Sequence, residues 1–185
     1  MTKEEMDDLL DSSFEKWNNR IIHEKITLDI LDSIPDSELE QAIFDNICLA
    51  FNEDFANEFE VIQNMNIGKQ AFYSTWILEG EVNNGGFNQF YFNSSGEFAE
   101  MAEIGFSVIG AHKYAQLAKE ANKTLRDNFE WLSKFDDGTL DSFQESYKDN
   151  PLNEIDDRFY ELEEKERISD LRIKYIRNNR KQFIN

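Results

Sequence analysis

A single cysteine, two prolines, eight glycines and two histidines among 185 residues leave little material for several kinds of protein. The lone thiol, Cys48, allows no intramolecular disulfide, and its stripe with Phe44, Ile47 and Phe51 reads as core. That fits a reducing, cytoplasmic setting. With so little proline to break them, and with Leu, Ile, Phe, Glu, Lys and Asn abundant, long stretches favour helix. No apolar run approaches the ~20 residues that cross a bilayer, and MTKEEMDDLL lacks the basic, apolar and small-residue progression of a signal peptide. No internal repeat, low-complexity tract, phosphate loop, nucleophile motif or sustained strand alternation is visible, and His23 has no metal-spaced partner. An enzyme is not expected, nor a catalytic residue, metal ligand or cofactor.

Bases are the other shortage. Against 38 acids stand 19 Lys and Arg, for a net charge of −19. Residues 1–64 hold 17 acids and 4 bases, and residues 136–164 hold 11 and 2. The stretch 65–135 is nearly balanced, and 165–185 reverses sign with 7 bases against 2 acids. Such a chain is repelled by nucleic acid and anionic lipid and drawn to basic protein surfaces. A basic protein is therefore the expected partner, with no direct nucleic acid or membrane binding. Simple solubility accounts for the same charge.

The apolar residues that are present recur at helical spacing. Thr2 and Glu5 have capping-box spacing, and Met6, Leu10, Phe14, Trp17 and Ile21 line a helix whose other face carries Glu4, Asp7, Asp8, Asp11 and Glu15. That acidic face is either solvated or a surface for a basic partner. After Pro35, Ser37 and Glu40 repeat the capping spacing ahead of a stripe from Leu39 to Phe51, and a helix over 54–63 buries Phe55, Phe59 and Ile62. The polar run NMNIG at 64–68 reads as a linker between an acidic helical region, 1–64, and residues 65–185, the two forming one structural unit. Ser94 and Glu97 again have capping spacing, and Phe98, Met101, Ala102, Gly105, Val108, Ile109 and His112 share a stripe. Gly105 on it implies close approach of another helix, and Gly110 a break. Beyond Pro151, Ile155, Phe159 and Leu162 form an apolar face, and Asp156, Asp157, Glu161, Glu163 and Glu164 an acidic remainder that is a second candidate partner surface. The final bases, among them Arg177, Arg180 and Lys181, are expected to pair with that acidic segment. The whole reads as all-α: a single compact domain of about eight helices with a glycine-cornered central helix pair.

That corner is the least generic stretch. Glu79–Asn93 contains EVNNGGFNQFYFN, two adjacent glycines between an apolar helix and a burst of aromatics. Upstream, Ala71, Thr75, Leu78 and Val82 fall on one stripe and Phe72, Trp76, Glu79 and Asn83 on the next, which places Glu79 and Asn83 on the buried side. Gly85 and Gly86 supply positive φ for a stop and turn, and Asn84 tolerates it. Phe87, Phe90, Tyr91 and Phe92 then surround a short enclosed helix. Glu79, Asn83, Asn84, Asn88 and Gln89 read as partners for the backbone groups that the two helix ends leave unpaired. The functional alternative makes Glu79 or Glu81 a general acid, base or metal ligand in a pocket spanning Glu79–Gln89.

The run from Glu81 to Asn93, preceded by FYSTWILEG and followed by the ending YIRNNRKQFI, resembles the bacterial DNA-mimic protein family over residues 66–185. The resemblance rests on the motif that includes Glu79, Glu81, Asn83, Asn84, Gly85, Gly86, Phe87, Gln89, Phe90 and Asn93. It implies a mostly helical fold, a homodimer in many members, and in one branch an acidic surface that occupies the DNA-binding face of a transcription regulator. An immunity-type inhibitor of a basic enzyme such as a nuclease uses the same electrostatics without imitating a duplex.

Overall fold

Helix is the only regular structure among the described residues, which in the computed structural model are 2, 6, 12, 14–15, 17–135 and 137–185. Glu4, Asp7, Asp8, Leu10 and Asp11 lie outside them. From Leu28 onward there are ten α-helices: α1 (Leu28–Ser33), α2 (Asp36–Cys48), α3 (Glu58–Gln63), α4 (Ile67–Phe92), α5 (Ala99–Val108), α6 (His112–Asp127), α7 (Phe129–Leu132), α8 (Leu140–Glu145), α9 (Asn153–Glu163) and α10 (Ile168–Asn178).

Several helix ends differ from their expected caps. Asp36 opens α2 directly after Pro35 with no side-chain cap, and Glu40 turns inward to Arg172 instead of closing a box with Ser37. Ser94–Phe98 is a 3-10 turn, also without a side-chain cap. Phe55 takes φ +57 and stands half exposed, so the helix expected over 54–63 shrinks to α3. The supposed linker is the start of α4: the Asn66 side chain accepts from the N–H groups of Gly68 and Lys69, and Gly68 is buried against Gln182.

α4 is apolar on most sides because it runs between two clusters. Ala71, Leu78, Val82, Phe87 and Phe90 face one cluster with Phe106, Tyr114, Ala118 and Phe159. Phe72 and Tyr73 face the other, with Leu31, Leu39, Ile43, Ile62, Phe98 and Phe183. Along α4 packs α5, at a separation set by Gly105: a Cβ there would come within 3.1 Å of Ala71. Gly110, at φ +85, ends the turn after α5, so His112 opens α6 in solvent instead of extending the α5 stripe. α9 then crosses both α4 and α6, and α10 lies on α2. No described helix is long and apolar enough to cross a membrane. On the N-terminal apolar line, Met6, Phe14, Trp17 and Ile21 are exposed.

Candidate functional site

The EVNNGGFNQFYFN motif forms a kink inside α4, where two helical segments meet at Gly85 and Gly86, the expected glycine-cornered pair. Gly86 alone has positive φ, at +72; Gly85 sits at φ −161, which any residue adopts. A break of this kind orphans carbonyls on one side and N–H groups on the other. Their partners come from elsewhere in the chain. Tyr160 Oη donates to the Val82 carbonyl at 2.7 Å and Tyr147 Oη to the Gly85 carbonyl at 2.9 Å. Opposite them, the Phe87 N–H donates to Asp156 Oδ1 at 2.7 Å, so a residue of α9 caps the second half of α4. Asn83 and Asn84, expected to do this work and placed on or near the buried side, are exposed.

The remaining polar residues of the motif pair with one another, with the Ser94–Phe98 turn, with the connection between α8 and α9, or with α10. Glu81 reaches across the kink and accepts from Gln89 Nε2 at 2.7 Å, Asn93 Nδ2 at 2.9 Å and Ser95 Oγ at 3.1 Å. Asn88 donates to Ser146 Oγ at 2.8 Å and accepts from Asn150 at 2.9 Å. Glu79 binds the guanidinium of Arg172, which also binds Glu40 and lies over the Trp76 ring. Arg172 is 2 % exposed, with Nη1 left unpaired among the described residues. Burial pushes the Glu79 carboxyl above the usual range, with the guanidinium opposing. Tyr147, Tyr160 and Arg172 escaped sequence reasoning, which puts Asp156 on the acidic surface instead of at the kink. A signal existed for Arg172, which lies four residues from both Ile168 and Ile176 and so on the buried stripe of α10.

As chemistry, the kink offers little. Among the described residues no group of three or more His, Cys, Asp or Glu could hold a metal. Burial pushes the Cys48 thiol up to about 12, away from the thiolate.

The candidate acidic surface is only partly realised. Of the N-terminal set only Glu15 is described, and it is exposed. In the second set Asp156 does not belong to the surface, being 9 % exposed and committed to the kink. Glu163 is half-buried and accepts from Tyr114 Oη at 2.8 Å and the Ile168 N–H at 3.2 Å. Asp157, Glu161 and Glu164 are exposed, and Glu154 joins them at spacings of three, four and three along one face of α9.

The bases that were to neutralise this segment go elsewhere. Arg172 binds Glu40, Arg177 binds Asp36 at 2.7 Å and Arg180 binds Asp32 at 2.7 Å, all in the N-terminal third. Arg158 donates twice to Glu120 of α6, at 2.7 and 2.9 Å. Among the described residues only Lys165, 3.5 Å from Glu161, forms an ion pair with the stripe, and that pair is exposed.

No curated protein and no solved structure matches the chain. The model of one family, described as DMP19-like protein, matches residues 63–179, a span that contains the kink, its three external partners and the α9 stripe. On that match the chain belongs to the DMP19-like protein family.

Proposed function

We propose that the exposed carboxylates of α9 and the segment before it bind a basic protein, and that they do so on the surface which that protein uses for DNA. The single observation behind this reading is the destination of the C-terminal arginines. Arg172, Arg177 and Arg180 neutralise α1, α2 and α4, which leaves Asp157 and Glu164 without a hydrogen-bond or ion-pair partner among the described residues and Glu154 with only the nearby charge of Arg158. Asp141 and Asp149, also exposed and without a hydrogen-bond or ion-pair partner for their side chains among the described residues, extend the field. The family and the earlier resemblance to DNA mimics agree with an acidic binding surface of this kind. No reaction is assigned to the kink, whose polar side chains pair with other side chains and whose open backbone groups are met by Tyr147, Asp156 and Tyr160.

Magnitudes suggest how far the imitation goes. Four charges over ten residues of helix span about 15 Å, or one per ~5 Å, whereas one DNA strand presents a phosphate per ~3.4 Å of axis. α9 alone is sparser than a strand, so a DNA-binding face needs acids from 137–149 or from the N-terminal face as well. The same spacing favours, as a second reading, inhibition of a basic enzyme that recognises charge without duplex shape.

The test is displacement of labelled duplex from the source cell's basic DNA-binding proteins. The parent should compete at low salt and fade as salt rises, because exposed charges are screened beyond ~10 Å at 0.1 M. Replacing Glu154, Asp157, Glu161 and Glu164 by Gln or Asn should slow association roughly tenfold while leaving the fold intact. A parent that displaces no duplex at low salt removes the DNA-directed reading. Inhibition of a nuclease without duplex release would select the second.

A further inference from the structure

Away from the kink, at the start of α4, lies an open groove of about 430 Å³ between α3, α4 and the start of α5. Its origin is the close α4–α5 crossing at Gly105, where a Cβ would meet Ala71 and Ser74 at 2.9 to 3.1 Å. Helices that approach so near leave their flanking side chains splayed around a trough. Half-buried Phe59 and Met101 are among its lining. Ile67 and Ile104 stand over it 48 % and 57 % exposed, an unusual amount of aliphatic surface for two residues in one cleft. On the rim are Glu97 and Glu100, neither with a hydrogen-bond or ion-pair partner among the described residues, and no basic side chain lines the groove.

We propose that this groove binds an amphipathic helix of a partner protein, one that seats aliphatic side chains one turn apart on Ile67 and Ile104 and sets Lys or Arg beside them against Glu97 and Glu100. A helix fits because the trough is walled by helices and no described strand offers an edge for an extended peptide. Charge decides the sign of the occupant. The charged residues of the lining are acidic, so an acidic helix is repelled, and this disfavours the chain's own acidic helices as ligands in a second copy. The site needs no resemblance to DNA and stands or falls apart from the α9 stripe.

A fluorescein-labelled Leu/Lys peptide of about 18 residues, patterned as an amphipathic helix, serves as the probe, with a Ser/Lys peptide of equal charge as control. Anisotropy titrations at low and high salt and amide shift mapping by NMR provide the readouts. The Leu/Lys peptide should bind, shift resonances within 59–71 and 96–105, and retain part of its affinity at high salt. Ile67→Ser with Ile104→Ser should weaken it roughly tenfold at both salts, since exposed positions tolerate the change without unfolding. Glu97→Gln with Glu100→Gln should weaken it at low salt alone, and Asp157→Asn with Glu164→Gln should leave it unchanged. The proposal is overturned if the isoleucine pair can be replaced without loss, if the shifts map to α9, if the Ser/Lys peptide binds equally well, or if the peptide does not bind. Sedimentation that shows a parent dimer dissociated by Ile104→Ser would overturn it too, by giving the groove to a second copy.

Discussion

A carboxyl group held in the interior against a helix end reports its surroundings through its proton. Burial pushes the Asp156 carboxyl up to about 6, opposed by the Phe87 N–H and assisted by the charge of Asp157. Its folded value lies above the ordinary ~3.8, so the native protein holds an extra proton between about pH 4 and pH 6 and loses stability as pH rises through that window. About two units correspond to ~3 kcal/mol. Asp156→Asn keeps an acceptor for Phe87 and has no proton to lose. Relative to the parent, it should gain about that amount between pH 4 and pH 7 in urea titrations; a constant difference across the range would refute the assignment. Arg172 gives a second prediction. Arg172→Met strands Glu40 and Glu79, and melts at neutral pH should show a loss of about 3–5 kcal/mol, partly restored by adding Glu40→Gln and Glu79→Gln. These roles were poorly legible in the sequence. Asp156 sits next to the exposed Asp157 in a run of acids, and the orphan N–H it accepts from belongs to a kink nearly seventy residues away.

At the scale of elements, α4 owes its bend to one residue. Gly86→Ala places a Cβ 2.8 Å from the Asp156 carboxyl carbon at a φ that L residues rarely adopt, and should cost about 2 kcal/mol or more by chemical denaturation. Gly85→Ala should cost less, because its φ is ordinary and its Cβ meets the ends of Gln89 and Tyr147. Equal losses at the two positions would mean that the positive φ is not what selects glycine. Apolar spacing made most helices visible: the stripes of α2 and α9 are largely buried where the three-four pattern put them. Caps were less legible. Ser37–Glu40 and Ser94–Glu97 have box spacing, but Glu40 finds a stronger partner in Arg172, and Ser94–Phe98 winds as a 3-10 turn.

For the whole molecule, charge is sorted by distance in the chain. The basic tail closes on the acidic beginning, through pairs such as Arg180–Asp32 and through Asn185, whose Oδ1 accepts from the Ile26 N–H. All-α architecture was readable from composition and periodicity, since neither depends on which elements meet. The direction of the C-terminal arginines was not, because proximity in sequence suggested the acids just upstream and only the packing of α10 on α2 reverses that choice. The arrangement has a consequence for synthesis. Phe87 and its capping carboxylate at Asp156 are 69 residues apart, so at ~5–20 residues per second a ribosome needs about 3 to 14 s to deliver the cap after the kink has been made. Throughout that interval the aromatic half of α4 lacks both its cap and its cover from α9. A nascent chain halted between α6 and α9 exposes Phe87 and Phe90, and is the species that a chaperone would meet.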